Sequence, residues 1–321
     1  MTQIKNEKKR YLSGLIAALG CSILWGFLPI YWQSLKPIDS QVIILYRVAL
    51  MAVCCFFLSG ITIGFKNTLK PFVSDKKLIL QHFIAGLLIT ANWSLYIWAV
   101  NANYVIQTCM GYFLEPLIVC IFGVVLYKER VNRHKKVALA LAVAGLCVMV
   151  VGYGEFPAIA LGLAFSFAIY AAIKKNVKTS PLQSLFYETI FLLPIALLFI
   201  TKLELEGNGA LTSGINTRFI LLLFSGLLTA LPLGLFAFAA PRLPLITLGL
   251  TEYLSPSISL VLGIFIFKEP FDAIQFSAFV FIWIGLVFFT FGEVVENRDN
   301  KSTLDAASDE GLKDSEVTPI E

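Results

Sequence analysis

Charged side chains are scarce in this chain. Aspartate, glutamate, lysine and arginine together make up 14% of its 321 residues, whereas a soluble domain carries about 25%. Hydrophobic residues make up 58% of the chain. This balance excludes an ordinary soluble domain and predicts an integral membrane protein, because most of the hydrophobic surface must then lie in lipid.

Several motifs that carry chemistry are also missing. The chain has no GxxxxGK[ST] sequence, which excludes ATP hydrolysis at a P-loop. Its two histidines have no partners at zinc-type spacing, its six cysteines show no CxxC spacing, and no Ser/His/Asp arrangement stands out. We therefore expect no enzyme activity, no metal and no cofactor. The net charge of +4 comes from lysines and arginines in short loops, which predicts membrane topology and argues against a nucleic-acid partner.

Long hydrophobic runs divide the chain into segments of the length that a transmembrane helix needs, roughly 20 residues. A basic N-terminal segment precedes the first run, and no small-residue cleavage site follows it, so we expect an uncleaved first helix. We predict ten spans, at residues 12–32, 41–63, 78–99, 104–126, 137–153, 157–173, 182–201, 219–239, 244–267 and 273–292.

The distribution of positive charge orients these spans. Most of the 25 lysines and arginines fall on the same side of the membrane if the N-terminus is cytoplasmic. The exceptions are Lys36, Lys202, Arg218 and Lys268 outside, and Arg47 within a span. We therefore expect both termini in the cytoplasm, with residues 293–321 forming a disordered, acidic cytoplasmic tail.

A duplicated segment organises the chain. Residues 111–129, GYFLEPLIVCIFGVVLYKE, return 140 positions later as residues 251–269, TEYLSPSISLVLGIFIFKE. Aligned without a gap, the first copy matches the second at Leu114, Pro116, Ile118, Gly123, Lys128 and Glu129. Such a repeat is typical of transporters. Each of these segments belongs to a larger repeat of five spans. Because five is an odd number, the second repeat must enter the membrane upside down.

The sequence thus predicts an all-α membrane protein of ten transmembrane helices in two inverted five-helix repeats. We expect a cytoplasmic N-terminal segment at residues 1–10, the first repeat at 11–153, the second repeat at 154–292 and the tail at 293–321.

Ionisable side chains inside spans are candidates for a functional site, because each costs several kcal/mol unless it is paired or hydrated. Arg47 in the second span and Glu115 in the fourth both lie below the outer boundary, and Asn92, Trp93 and Tyr96 lie at depths similar to that of Arg47. We expect these groups to converge on an outward-facing half-cavity in which Arg47 and Glu115 are close enough in depth to interact.

The second repeat supplies a mirrored set of acidic residues. Glu188 aligns with Arg47, and Glu252 lies near the position that matches Glu115. A direct Arg47–Glu188 pair is less favoured, because inversion separates the two in depth by roughly 10 Å. The alternative for all of these charges is that they hold helices together without lining a path.

Tyr112 and two prolines complete the predicted site. Pro116 and Pro256 each follow a polar residue in matching copies, and each frees a backbone carbonyl, so we expect helix breaks there. Inert kinks are the alternative. At the ends of the repeated segments, Glu129 and Glu269 are expected to be solvated or paired with a neighbouring lysine.

Several segments together resemble the drug/metabolite transporter superfamily, and specifically RarD-type permeases of the EamA family. They are WGFLPIYW (25–32), YRV (46–48), NWSLYIWAVN (92–101), GYFLEPL (111–117), KER (128–130), ALGLAFSFAIY (160–170), ETIFLLP (188–194) and TLG with EYLSPS (247–257). The resemblance covers residues 11–292. It implies ten helices, two EamA repeats, cytoplasmic termini, a bacterial cytoplasmic membrane and secondary transport of small molecules.

We therefore predict a secondary active transporter that moves a small metabolite or drug-like solute by alternating access, with proton coupling or exchange left open. Its partners would be the solute and the lipid bilayer, and it would act as a monomer or homodimer. Glu115 or Glu188 would carry a coupling proton, because low dielectric favours an uncharged carboxyl group. The alternatives are a non-transporting membrane sensor or scaffold, which the repeat disfavours, and a lipid-handling protein with a groove open to the acyl chains.

Overall fold

The computed structural model describes residues 2–102, 104–154, 156–268 and 272–316, and within these ranges the chain is helical without strands. A short 3-10 turn spans Ala210–Ser213, and a π-helical turn spans Gly263–Phe267. The α-helices are α1 (Thr2–Ser34), α2 (Ser40–Ile63), α3 (Phe65–Ser74), α4 (Lys76–Asn101), α5 (Val105–Tyr127), α6 (Arg133–Tyr153), α7 (Ala158–Lys175), α8 (Pro181–Ile190), α9 (Leu193–Leu205), α10 (Thr217–Leu223), α11 (Ser225–Ala239), α12 (Leu245–Glu252), α13 (Leu254–Leu262) and α14 (Ala273–Glu316).

These helices supply ten membrane spans. Nine segments of the described chain are long and apolar enough to cross a membrane. The pair α8 and α9, bent by 57°, makes the tenth. The predicted count and order of the spans are confirmed. One helix was not predicted, the short α3 that lies between the second and third spans.

Short polar side chains start several of the helices after loops. The Asp39 carboxylate accepts a hydrogen bond from the Gln41 backbone N–H at 2.7 Å, which caps α2. The Asn132 side chain accepts one from the Lys135 N–H at 2.8 Å, which caps α6. Each cap satisfies a backbone donor that has no partner within the first turn. The apolar runs between caps then fix the helix lengths.

The two site prolines behave differently. Pro256 has no N–H to bond the Glu252 carbonyl four residues earlier, and the chain breaks three residues before Pro256, at Tyr253 between α12 and α13. The break predicted at Pro116 is wrong, since α5 continues through it. Helices α7 and α12 both pack along α5, and this packing keeps the helix intact although one backbone hydrogen bond is missing.

The backbone has the same conformation at matching positions of the two repeats. Lys128 and Lys268, at matching positions, both have a φ of 53°, and among the described residues they are the non-glycine residues with positive φ. Their N–H groups bond the matching carbonyls of Gly123 and Gly263. The chain thus folds as two inverted five-helix repeats. The π-turn before Lys268 shows that the second copy is wound differently in its last turn.

The last helix differs from the sequence expectation. Helix α14 passes residue 292 without a break and continues to Glu316, through residues that were expected to form a disordered tail. A helix that has already nucleated in the membrane extends at little cost through alanine, leucine, lysine and glutamate, which are good helix formers. Residues 317–321 and Glu269 lie outside the described part of the chain. The division into repeats and tail stays a prediction.

Candidate functional site

Arg47 is stacked between two tryptophans inside the bundle. Its guanidinium carbon lies 4.1 Å from the ring centroid of Trp93 on α4 and 4.9 Å from that of Trp32 on α1. The structure therefore brings Arg47 and Trp93 together, as the sequence suggested, and adds Trp32. Three helices converge at this point, and a guanidinium over indole faces is held by cation–π attraction.

Tyr112 on α5 extends this group of side chains. Its hydroxyl is hydrogen-bonded to Tyr96, and the two ring centroids are 5.7 Å apart. Tyr112 is 44% exposed and lies close to Tyr96, Glu115 and Arg47, which come from three helices, so it borders an accessible space. Arg47, Trp93 and Glu115 are also partly exposed. We call this space the central recess.

The members of the central recess lie in one half of the bundle. We use near side for the face where α1 begins and far side for the opposite face. Trp32 lies at the end of α1, Arg47 near the start of α2, and Tyr112 near the start of α5, all toward the far side. The recess is therefore displaced toward the far side of the bundle.

The expected interaction between Arg47 and Glu115 is not an ion pair. No carboxylate lies within ion-pair distance of Arg47 among the described residues. Tyr112, one helical turn before Glu115, is near enough to both groups to affect each of them electrostatically. The guanidinium is held by the two tryptophan rings.

Asn92 does not belong to the central recess. Its side chain is 8% exposed, and its amide donates to the Leu163 carbonyl at 2.8 Å and to the Ser166 hydroxyl at 3.0 Å. Both acceptors belong to α7. Asn92 therefore ties α4 to α7, which corresponds to the structural alternative considered for it.

Glu188 binds Lys174 and does not approach Arg47. The two side chains form a direct ion pair with almost no solvent exposure. Lys174 also donates to the Ser184 hydroxyl at 2.7 Å, Ser184 donates to Glu188 at 2.8 Å, and the Tyr170 hydroxyl donates to Glu188 at 3.2 Å. This network joins α7 to α8 in the half of the bundle toward the near side.

Sequence reasoning missed Lys174 by assigning it to a solvated loop. The sequence signal for this network is a pair of polar residues spaced four apart in each of the two helices. Tyr170 and Lys174 share one face of α7, and Ser184 and Glu188 share one face of α8. Two such polar pairs in adjacent spans predict a buried network.

Glu252 is a buried acid whose carboxylate has no hydrogen-bond partner in the described chain. It ends α12, is 5% exposed, and both of its carboxylate oxygens are buried without a hydrogen-bond partner. Glu115 is near enough to affect it electrostatically, and Cys21 and Cys120 also lie close. Glu115 and Glu252, which lie near matching positions of the two repeats, are thus also neighbours in the structure.

The near side is closed by contacts between the two repeats. Glu129, after α5, binds Lys175 at 2.9 Å and accepts hydrogen bonds from the backbone N–H groups of Leu245 at 2.7 Å and Ile246 at 3.0 Å. Lys175 also donates to the Leu243 carbonyl at 2.7 Å. A carboxylate at the start of α12 is favoured by the unpaired N–H groups there. We call this set the near-side clamp, and it confirms a lysine partner for Glu129.

A basic cavity of about 370 Å³ adjoins the near-side clamp, and it is lined in part by Arg130, Lys135 and Arg242. Partial burial and the nearby Arg10 lower the pKa of Arg242. Arg10 in turn donates to the Pro241 carbonyl at 2.9 Å, which fastens the start of α1 to this face. The central recess and this cavity thus lie in opposite halves of the bundle, and Glu129 and Lys175 of the near-side clamp also line the cavity.

Comparison with known proteins agrees with this architecture. The EamA-like transporter family matches the chain twice, over residues 12–151 and 157–291. The chain is 36% identical to an uncharacterized transporter, YojE, of Bacillus subtilis over 90% of its length and 97% of the relative's. It is 33% identical to protein RarD of Streptomyces exfoliatus over 95% of each chain, and 30% identical to protein RarD of Escherichia coli over 91% of its length and 98% of the relative's.

One solved crystal structure shares the fold with a TM-score of 0.66 at 16% identity, covering 87% of this chain and 98% of the other. Two matches of one family, each about the length of five spans, coincide with the repeat seen in the backbone. The chain therefore belongs to the EamA-like transporter family and is a RarD-type permease.

Proposed function

We propose that this membrane transporter is a secondary active permease, which moves a small organic solute through the central recess by alternating access. The observation that carries the proposal is the asymmetry of the bundle. An accessible recess with a charged side chain lies toward the far side, and the near-side clamp closes the other end. Two inverted repeats can exchange these roles by rocking against each other.

The near-side clamp is the element that must open. Glu129 belongs to the first repeat, whereas Lys175 and the start of α12 belong to the second. When the repeats rock, Glu129 loses both the lysine and the backbone donors, and water replaces them. Because the exchanged bonds are charge-assisted and partly exposed, the closed and open states can differ by only a few kcal/mol, which suits a cycling protein.

The topology proposed from the charge distribution places the near side in the cytoplasm of a bacterial cell. In that orientation the recess faces outward in this conformation. The solute would enter between Trp32, Arg47 and Tyr112, and the clamp would release it on the other side or admit it from there. Either direction of net transport is compatible with one and the same cycle.

A labelling experiment tests alternating access without a known solute. In a chain whose six native cysteines are replaced, Tyr112→Cys would be exposed to a membrane-impermeant maleimide added outside intact cells. We expect labelling from outside, and less of it when Glu129→Gln is added, because the weakened clamp shifts the population toward the opposite state. Lys202→Gln, far from the clamp, is the matched control and should change nothing.

Equal labelling with and without Glu129→Gln would contradict the proposal and favour a non-transporting sensor or scaffold. No labelling of Tyr112→Cys from outside would contradict the orientation or the recess. Labelling the same variant in inside-out vesicles separates these two cases, since reversed orientation predicts strong labelling only there.

Lipid handling is a second candidate function, because one observation favours it. A groove of about 330 Å³ opens between α1, α13 and α14, with a largely apolar lining of Phe27, Ser257, Ile258, Val261, Leu262 and Trp283. The Trp283 indole N–H donates to the Ser257 hydroxyl at 3.1 Å within it. Movement of fluorescent phospholipid between leaflets of proteoliposomes, abolished by Ile258→Trp, would support this function over solute transport.

A further inference from the structure

Arg47 differs from the lysines that lie inside the bundle close to acids. Lys174 binds Glu188, and Lys175 binds Glu129. Arg47 has no carboxylate within ion-pair distance in the described chain, and its buried Nε has no hydrogen-bond partner. The bundle thus neutralises these two lysines with acids and provides no such acid for Arg47.

The geometry of Arg47 leaves its hydrogen-bond donors available. Trp32 and Trp93 lie over the guanidinium, so neither ring takes up the N–H groups on its edge. A guanidinium stays charged and carries five donors in a fixed fork. That fork matches the two oxygens of a carboxylate or phosphate.

The charge balance points to a missing partner. Stacking on an indole ring is a weak attraction, whereas placing an arginine in the membrane interior costs more free energy than one such contact provides. Two tryptophans can therefore offset much of the cost, but they leave the donors unbonded. An anion entering the recess would satisfy both the charge and the donors.

We infer that Arg47 receives the anionic group of the transported solute, and that this solute is an organic anion with a single carboxylate or phosphate-type head and an apolar or aromatic body. The inference rests on the proposed function. The body would lie along Tyr112 and Tyr96, whose rings line the space beside Arg47. The acids Glu115 and Glu252 lie beyond Tyr112. They would repel a second negative group on the solute.

Binding to the purified full-length chain tests this inference. The probes are benzoate, phenylphosphonate and acetate, with benzamide as the uncharged match of benzoate and benzylammonium as its cationic match. The readouts are the melting temperature and tryptophan fluorescence, because Trp32 and Trp93 touch Arg47. We expect benzoate and phenylphosphonate to raise the melting temperature and change the fluorescence, and benzamide and benzylammonium to do neither.

Three variants locate the effect. Arg47→Gln should weaken benzoate binding by roughly tenfold or more, the loss expected for a charge-assisted bidentate contact. Arg47→Lys keeps the charge and should retain part of the affinity, which controls for a folding defect in the first variant. Arg242→Gln removes a basic group on the near side and should leave benzoate binding unchanged.

The outcomes separate this inference from the proposed function. Benzamide binding as well as benzoate, benzoate binding unchanged in Arg47→Gln, or no binding of any of the anions would overturn the inference. Arg47-dependent binding without any flux of the bound anion into proteoliposomes would support the anion site and contradict transport of that anion. Flux of the anion that is unchanged in Arg47→Gln would support transport and contradict the anion site at Arg47.

Discussion

Lys174 and Glu188 form an ion pair that is almost entirely shielded from solvent, and each also bonds the Ser184 hydroxyl. A buried pair of this kind contributes little compared with an apolar pair of the same shape, yet breaking it leaves one charge without a partner. The pair therefore fixes how α7 and α8 meet. Lys174 directly precedes Lys175 of the near-side clamp, so the pair lies beside that clamp.

Replacing Glu188 by glutamine should destabilise the protein strongly. The variant leaves the Lys174 ammonium buried without a counter-charge, and we expect a loss of about 3–5 kcal/mol of unfolding free energy, measured as a lower melting temperature in detergent. Lys202→Gln is the control, because its pair with Glu206 is exposed at 3.8 Å and should contribute under about 1 kcal/mol. A similar shift in both variants would contradict the buried pair.

The two matched lysines should respond alike to substitution. A left-handed conformation costs an ordinary residue about 1–2 kcal/mol relative to its preferred regions. We expect Lys128→Gly and Lys268→Gly to keep or raise the melting temperature, and Lys128→Ile and Lys268→Ile to lower it, since a β-branched residue tolerates positive φ poorly. Opposite responses at the two positions would argue against equivalent backbone turns in the repeats.

Substitutions of two neighbouring residues on α4, Asn92 and Trp93, should have different effects on stability and on benzoate binding. Asn92→Ala removes the side chain that bonds Leu163 and Ser166, and should cost about 1–3 kcal/mol of stability with benzoate affinity unchanged. Trp93→Leu removes the closer of the two rings over Arg47 and should weaken benzoate binding with a smaller effect on stability. Melting temperatures and binding isotherms of both variants check this, and an exchange of the two phenotypes would refute the assignment.

The sequence predicted the long-range order of this molecule well because that order depends on hydrophobic length and on duplication. The ten spans, the inverted repeat and the meeting of Arg47 with Trp93 follow from span boundaries and from depth along the membrane normal. Reliance on depth also limited the prediction of the site. Counting residues places Asn92 and Arg47 at similar heights, but it does not tell which side of a helix faces the recess.

A membrane span gives few clues to its orientation about its own axis. Its lipid-facing and buried sides are both apolar, so the periodicity that marks the inner face of a soluble helix is weak. Hydropathy therefore ends the predicted sixth span at residue 173, just before Lys174, and depth alone predicts Asn92 in the half-cavity. Pro116 was expected to break α5 because local chemistry was read without the helices that pack along it.

Glu252 is a better candidate for a coupling proton than Glu188. Glu188 already has a permanent cationic partner in Lys174, whereas both oxygens of Glu252 are buried without any donor in the described chain. The groups that face Glu252 are Cys21 from α1 and Glu115 and Cys120 from α5, with Tyr253 beside it, and none of them is a cation. A carboxylate there is costly, so its charge must change together with the access of water.

Replacing Glu252 by glutamine should therefore uncouple transport from the pH gradient. In proteoliposomes loaded with benzoate, we expect a pH gradient to accelerate flux through the unaltered protein and to have no effect on Glu252→Gln, while exchange of labelled for unlabelled benzoate continues in both. Glu206→Gln is the matched control, since it removes an exposed carboxylate outside the recess and should keep the gradient response. Continued acceleration by the gradient in Glu252→Gln would show that the coupling group lies elsewhere, and loss of both gradient response and exchange would assign Glu252 to solute binding or to the movement itself.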